Sequence, residues 1–224
     1  MGRKKIFDLN QERKSNLFDT SACFFCSPFG KKVSKDDDQH PPDVNKPIDR
    51  KTCGLSPSQN SIAVDQIEYI VVDHSGGEQC FDLKSCCKRV LDIQRRDVNE
   101  DGLADIRYNF LIGTDGTIYQ GRGFEHANDM SPRTLNVAMI GDFTEKRAPN
   151  AMMEAVNWLV LLGLGKSPMA VGTMDIICYN QIRSIGNQRT DDSQLCRDIA
   201  NSDSIRMYYA DAILNITDGR IYPD

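Results

Sequence analysis

Four residues near the N-terminus have side chains that could bind a metal ion. Cys23 and Cys26 are separated by two phenylalanines, and His40 and Cys53 follow them. Thiolate sulfur and imidazole nitrogen are the usual ligands of structural zinc. A zinc knuckle normally contains two short pairs of ligands, whereas this segment contains one. The alternative is a flexible segment whose apolar residues touch a membrane or a partner, and we therefore predict no metal site here.

A second pair of cysteines, Cys80 and Cys86, is separated by five residues at the start of a predicted helix. This spacing allows a disulfide that fastens a loop to the first turn of the helix, and it equally allows two buried thiols. The sequon Asn215-Ile216-Thr217 would matter only in an exported chain.

The composition suits one globular domain with an appended segment. The chain has 224 residues, of which 40% are hydrophobic and 26% are charged, and its net charge is -5. With this charge and no basic stripe, nucleic acid is excluded as a partner. Residues 1–10 contain no apolar core of a signal peptide, and no apolar run reaches the roughly 18 residues of a membrane span. The compartment stays open, and a cytoplasmic form or a splice isoform of a membrane or secreted receptor would fit.

The chain divides into three regions by composition. Residues 1–60 are rich in Lys, Asp, Pro, Ser and Asn and lack apolar periodicity, which predicts a disordered polar tail or linker. Residues 61–216 carry the predicted helices and strands and form the domain. Residues 217–224 are predicted to be a C-terminal tail.

Strands and helices alternate in the predicted domain, which is typical of an α/β fold with a mixed central sheet flanked by helices. The turn at Asp115-Gly116 predicts a tight hairpin, because glycine supplies the positive φ that such a turn needs. Apolar periodicity predicts five strands and three helices. The strands are Ile67–Val72, Ile106–Ile112, Thr117–Tyr119, Thr134–Ile140 and Asp175–Cys178, and the helices are Asp82–Arg96, Asn150 to the glycines at 163 and 165, and Ser193 to about Leu214.

One long segment carries a specific resemblance. Residues 108–124, YNFLIGTDGTIYQGRGF, closely resemble the hallmark segment of peptidoglycan recognition proteins, which are relatives of type 2 amidases. Residues 70–75, 134–141 and 150–165 also resemble that family, and the likeness covers about residues 62–215. The resemblance implies the type 2 amidase-like fold and a disulfide between Cys80 and Cys86.

The resemblance also implies a function. Family members hold a muropeptide in a shallow groove on one face of the sheet. In catalytic members, a zinc ion in this groove activates water to cleave the bond between the muramoyl lactyl group and L-alanine. Such a zinc ion needs three protein ligands and one open position for the water.

Two of the three zinc ligands of the family have no competent replacement in this sequence, and a single carboxylate cannot hold the metal alone. Asp73 occupies the first ligand position, Asn180 the second, and Gln188 or Thr190 the third, depending on the alignment. Tyr108 is retained at the position of the catalytic tyrosine. We therefore predict no zinc cofactor and no amidase activity. A site rebuilt from His74 and His126 with Asp73 or Cys178 is the alternative, because residues at strand ends converge on one groove.

The predicted ligand-binding residues follow from the same alignment, and three substitutions change the groove. Leu103 and Phe124 each replace a tryptophan that is usual in the family, and Asp97 replaces a common histidine. These changes remove surface for aromatic stacking and polar contact. The predicted ligand-binding residues are His74, Tyr108, Asn109, Phe124, His126 and Asn180.

Three functions are compatible with these residues. The first is an innate immune pattern-recognition or regulatory protein that binds bacterial peptidoglycan fragments without hydrolysing them. The second is a decoy or adaptor that pairs with a related receptor domain and no longer binds glycan. The third is a zinc-dependent N-acetylmuramoyl-L-alanine amidase.

Overall fold

The computed structural model describes residues 46–58, 67–166, 175–184, 193–203, 205, 209, 214–217 and 220–223. All of them belong to one compact unit, Pro41–Asp224. Several residues singled out in the sequence lie outside the described residues, namely Cys23, Cys26, His40, Gln188 and Thr190.

A five-stranded sheet organises the domain. Its strands, in spatial order, are β3 (Ile118–Gln120), β2 (Phe110–Ile112), β4 (Thr134–Met139), β1 (Tyr69–His74) and β5 (Asp175–Cys178). Strands β2, β4, β1 and β5 run parallel, while β3 is antiparallel to β2. The predicted fold class, a mixed central sheet flanked by helices, is confirmed.

The two faces of the sheet are covered by different helices. On one face, Ile70 and Val72 of β1 share a core with Val156 and Leu159 of α2 (Asn150–Lys166). On the other face, Ala138 of β4 packs with residues of α1 (Leu83–Asn99). Successive side chains of a strand point to opposite faces, so β4 contributes to both cores, while Val71 of β1 packs in a smaller cluster with Ile177 and Ile182.

Helix α1 begins with a capping box. The side chain of Asp82 accepts a hydrogen bond from the backbone N–H of Ser85 at 3.0 Å, and the Ser85 hydroxyl lies 3.3 Å from the backbone N–H of Asp82. These bonds satisfy N–H groups that the first helical turn leaves without partners. Among the described residues, no helix combines the length and apolarity that would allow it to cross a membrane.

Turn chemistry explains the hairpin of β2 and β3. Gly116 has a φ of 84°, and a Cβ at this position would lie 2.8 Å from the carbonyl oxygen of Ala151. Asp115 also accepts a hydrogen bond from the backbone N–H of Thr117 at 3.0 Å. Both the conformation and the close approach therefore require glycine, as the Asp-Gly pair predicts.

The last predicted helix is wrong beyond its first eight residues. Helix α3 spans Gln194–Asn201 and ends where the backbone N–H of Ser202 bonds to Ile199. A small second sheet follows, made of β6 (Ile182–Ser184), β7 (Leu214–Thr217) and β8 (Arg220–Pro223). Strand β8 lies within the predicted C-terminal tail, so the tail interpretation of 217–224 is corrected there: antiparallel pairing with β7 orders this part of the chain.

The tail interpretation is also wrong for residues 46–58. Ile48 exchanges backbone hydrogen bonds of 2.8 Å with Ile118 and Gln120, beside the edge strand β3. A disulfide joins Cys53 to Cys87 of α1, and Leu55 is buried. Because the sequence of this segment is polar and lacks an apolar face, the segment is held in place by backbone pairing, a disulfide and ion pairs. The domain therefore starts before residue 61.

Candidate functional site

The carboxyl-terminal ends of β1 and β5 meet at a small cavity. Val72 of β1 is in register with Cys178, the last residue of β5, so Asp73 and His74 at the end of β1 lie beside the turn that follows β5. The cavity has a volume of about 20 Å³, which is roughly the room for one water molecule. It is lined by Asp73, His74, Cys178, Tyr179, Asn180, Ser193, Leu195 and Cys196. We call it the strand-end cavity.

Asp73 lies close enough to Tyr108 to influence its ionisation. The carboxylate of Asp73 accepts a hydrogen bond from the backbone N–H of His74 at 2.8 Å. Tyr108 is buried, and its pKa is raised well above the ordinary value, first by burial and then by the negative charge of Asp73. The phenol therefore stays neutral at physiological pH and keeps its O–H as a hydrogen-bond donor.

Two of the three predicted zinc-ligand positions come together in the strand-end cavity. Asp73 and Asn180 both line it, and the third position lies outside the described residues. The sheet register identifies a further neighbour, because Tyr179 directly follows the pair Val72 and Cys178 and so lies next to Asp73. Within the described parts of the chain, no group of three or more His, Cys, Asp and Glu side chains is placed to hold a metal ion.

The six cysteines within the described parts of the chain are paired in disulfides. The structure has the Cys80–Cys86 disulfide that the family resemblance implies. Cys178 is joined to Cys196 of α3, so its sulfur cannot serve as a thiolate ligand in a rebuilt zinc site. Cys53, whose thiol could have served as a zinc ligand, is bonded to Cys87.

Asn109 is not a surface residue for ligand contact, and that prediction is corrected. Its side chain is fully buried. The amide nitrogen donates to the carbonyls of Gly123 at 2.8 Å and His126 at 3.0 Å, and the amide oxygen accepts from the backbone of Asn136 at 2.9 Å. Its hydrogen-bonding capacity is used inside the protein, where it joins β2, β4 and the loop after β3.

Phe124 contacts a second aromatic ring. Its ring centroid is 4.6 Å from that of Phe110, and the side chain packs against the core on the α2 face. Tyr108 belongs to the core on the α1 face. Phe124 is partly buried, and its predicted contact with ligand stays a prediction.

His126 lies in a second pocket, which we call the N-segment pocket. This pocket has a volume of about 480 Å³ and is lined by Arg50, Lys51, Gly54, Leu55, Pro57, Ser58, Gln120, Glu125 and His126. The structure therefore separates His126 from His74 and Asn180, which line the strand-end cavity. A zinc site that combines His126 with Asp73 is not formed.

Arg50 and Asp105 anchor the wall of the N-segment pocket. Arg50 Nη2 lies 3.0 Å from Asp105 Oδ1, and Gln94 Nε2 donates to the same oxygen at 2.8 Å. Burial of Asp105 opposes its ionisation, but hydrogen bonds from Arg50, Gln94 and Ser58 outweigh burial, so the pKa of Asp105 is lowered. The segment before residue 61 is thus held to the domain by a buried, charged contact.

Asp97, at a position where the family commonly has histidine, has a structural role. Its carboxylate is fully buried, and it accepts bonds from the backbone N–H and from Nε of Arg107 at 2.9 and 3.0 Å. Arg96 Nη2 lies 3.3 Å from the same carboxylate. The substitution therefore fixes the connection from α1 to β2 and places Arg107 beside Tyr108.

Sequence reasoning missed Arg122. Its side chain is fully buried, and it donates to the carbonyls of Ile106 and Ala127, the latter at 2.8 Å, and pairs with Asp129. Gly121 allows this arrangement, because a Cβ there would lie 2.2 Å from the carbonyl oxygen of Tyr108. An arginine between two glycines was the available signal, but its partners are distant in sequence.

The comparison with known proteins identifies the family. A family model described as N-acetylmuramoyl-L-alanine amidase matches residues 63–192, more than half of the chain. Peptidoglycan-recognition protein 1 of Holotrichia diomphalia is 32% identical over 102 residues, which cover 44% of this chain and 52% of the relative. The chain belongs to the peptidoglycan recognition protein family. The matched stretch spans about half the length of this curated relative.

Solved structures of peptidoglycan recognition proteins share the fold. Drosophila PGRP-SA superimposes with a TM-score of 0.66 at 24% identity, covering 77% of this chain and 99% of that protein. Human PGRP-IβC, solved in complex with glycosamyl muramyl pentapeptide, has a TM-score of 0.63 at 22% identity, with coverage of 73% and 97%. Both matches support the amidase-like fold of the family.

Proposed function

We propose that this domain recognises bacterial peptidoglycan fragments without hydrolysing them, as part of an innate immune response. The observation that carries the proposal is the composition of the strand-end cavity. Asp73 offers one carboxylate, Asn180 is a neutral amide and Cys178 is disulfide-bonded. These groups do not fit a catalytic zinc ion, which needs three nitrogen, sulfur or carboxylate ligands.

Recognition of a muropeptide is supported by the family and by the groups that remain. The human relative was solved with a muramyl pentapeptide. In this chain, Asp73, Tyr179 and Asn180 line the strand-end cavity, and the charge of Asp73 helps to raise the pKa of the buried Tyr108. An aromatic ring, an amide and a carboxylate can stack against and hydrogen-bond the amides of a stem peptide. Binding of a muropeptide uses these contacts and does not need the three zinc ligands that hydrolysis needs.

Metal analysis combined with turnover tests the absence of hydrolysis. We expect the purified full chain to contain no stoichiometric zinc and to leave a defined muropeptide intact after prolonged incubation with added zinc, as judged by mass spectrometry. A zinc amidase assayed in parallel shows that the substrate can be cleaved. One zinc per chain together with release of the stem peptide would overturn the proposal.

A pair of tyrosine and tryptophan variants tests the binding face. Tyr179→Ala removes an aromatic ring from the strand-end cavity, whereas Trp158→Ala removes a 40% exposed ring from α2 that does not line this cavity. Since an aromatic contact contributes about 1 kcal/mol or more, we expect Tyr179→Ala to weaken sedimentation with insoluble peptidoglycan about tenfold. Trp158→Ala should bind as the unmodified chain does. Equal losses of binding in the two variants would contradict the assignment of binding to the strand-end cavity.

A decoy or adaptor that pairs with a related receptor domain is the second candidate. The observation in its favour is the volume of the strand-end cavity, about 20 Å³, which is far below the several hundred Å³ of ordinary ligand pockets. If the full chain fails to sediment with peptidoglycan but forms a stable complex with a peptidoglycan-binding family member, this second function replaces the first.

A further inference from the structure

We infer that the Cys178–Cys196 disulfide is the positioning element of the strand-end cavity: it holds Tyr179 and Asn180 beside Asp73. The claim about the shape of the cavity depends only on the structure. Its consequence for muropeptide affinity rests on the proposed function.

The disulfide joins two elements at the cavity itself. Cys178 is the last residue of β5, and Cys196 lies in the first turn of α3. Both cysteines line the strand-end cavity, and both are buried. The cross-link therefore forms part of the cavity wall next to the residues that are proposed to contact ligand.

The described residues next to each cysteine are hydrogen-bonded to the cysteines. The disulfide closes a loop with a sequence separation of 18 residues, and Tyr179 and Asn180 are its first members. At the same end, Gln181 Oε1 accepts a bond of 2.7 Å from the backbone N–H of Cys178. At the other end, the Ser193 hydroxyl lies 3.1 Å from the sulfur of Cys196 and accepts from its backbone N–H. Hydrogen bonds at both ends thus involve the two disulfide-bonded residues.

Backbone hydrogen bonds fix α3, and the disulfide is a covalent link from α3 to the end of β5. The backbone N–H groups of Gln194 and Leu195 donate to the carbonyls of Thr144 and Phe143 at 2.7 and 3.1 Å. Helix α3 is therefore tied to the loop after β4. The disulfide passes this restraint to Cys178, and thereby to the Tyr179–Gln181 turn that follows it.

Two matched double variants test the inference. Cys178→Ala with Cys196→Ala removes the cross-link at the cavity, while Cys53→Ala with Cys87→Ala removes the one that holds the N-terminal segment on α1. Amide hydrogen exchange of residues 179–182 and affinity for a soluble muropeptide are measured on the full chain at 10 °C. We expect the first variant to exchange at these amides at least tenfold faster and to bind about tenfold more weakly, and the control to change neither.

The two readouts separate the inference from the proposed function. Unchanged exchange at residues 179–182 in the first variant overturns the inference, as does an equal increase in the control. If the unmodified chain does not bind muropeptide, the proposed function fails, while the exchange comparison still decides the inference. If the alanine variant does not fold, Cys178→Val with Cys196→Ala keeps more of the buried volume, and the same exchange criteria apply to it.

Discussion

Arg122 illustrates how a single side chain can set the shape of a loop. A guanidinium presents five N–H donors in a rigid fork, and it is costly to bury unless carbonyl or carboxylate oxygens satisfy those donors. Arg122 meets this requirement with the carbonyls of Asp105, Ile106 and Ala127 and the carboxylate of Asp129. It thereby holds the connection before β2 to the loop after β3.

We expect Arg122→Met to destabilise the domain by about 3 kcal/mol or more, because the carbonyls lose their donors while remaining buried. Arg95→Met is the matched control: Arg95 is 64% exposed and pairs with Asp92 on the surface of α1, and such pairs contribute about 0.5 kcal/mol. Urea unfolding at pH 7 measures both. Similar midpoints for the two variants would contradict the structural role of Arg122.

Asp105 should make the stability depend on pH. Its pKa in the folded state is lowered. Its contribution to the free energy of unfolding is therefore complete above the unfolded-state pKa of about 3.9 and is lost as the pH falls through the folded-state pKa. At any pH from 5 to 7, we expect the free energy of unfolding of Asp105→Asn to be about 3 kcal/mol below that of the unmodified chain, because Arg50 then lacks its buried partner. The difference from the unmodified chain should shrink below about pH 4.

Urea unfolding at pH 7, 5, 4 and 3 checks this prediction, with Asp92→Asn as the control. Asp92 lies on the exposed surface of α1 in a pair with Arg95, so its variant should differ little from the unmodified chain at any of these pH values. A constant difference between Asp105→Asn and the unmodified chain down to pH 3 would show that the carboxylate charge is not the source of the effect.

At the scale of helices and strands, the sequence predicts an element well where that element depends on residues close to it in the chain. Strand β5 has the predicted bounds, and the Asp-Gly hairpin forms as its turn chemistry requires. Helix α2 continues through Gly163 and Gly165, which were expected to end it. Residues 46–58 were missed because their order depends on Ile118, Cys87 and Asp105, and no property of the segment's own sequence reveals those partners.

The candidate site was predictable only in part for the same reason. Asp73 and Asn180 were found because the family resemblance aligns them with zinc-ligand positions, and the structure brings them to one cavity. The burial of Asn109 and the separation of His126 were not predictable, since each depends on the path of the loop after β3. The pairing of Cys178 with Cys196 could not be deduced from spacing, because several pairings of eight cysteines satisfy it.

The N-terminal segment should come loose without its cross-link. We expect Cys53→Ala with Cys87→Ala to make the bond after Lys51 sensitive to trypsin under conditions where the unmodified chain resists, because Lys51 is exposed and its neighbours lose their covalent anchor. Cys80→Ala with Cys86→Ala serves as the control, since that disulfide lies within the start of α1. Mass spectrometry locates the cut. Equal resistance of the two variants would mean that Ile48 and Arg50 suffice to hold the segment.

For the whole molecule, covalent cross-links supply a large share of the stability. The three disulfides among the described residues span separations of 34, 6 and 18 residues. Loop-closure entropy assigns them roughly 3.8, 2.2 and 3.2 kcal/mol, or about 9 kcal/mol together. The net stability of a domain is typically about 5–15 kcal/mol. A domain with these three cross-links is therefore suited to an oxidising compartment.

Stability should accordingly respond to reductant and not to chelator. We expect full reduction under native conditions, verified by titration of the released thiols, to leave the domain largely unfolded at 37 °C, because the lost cross-links are worth about as much as the net stability. A zinc chelator should leave the melting temperature unchanged, since the proposed site holds no structural metal. Circular dichroism melts with each reagent separate the two effects. A melting temperature that falls with chelator, or one that falls by less than about 5 °C after complete reduction, would refute a fold maintained by disulfides rather than by metal.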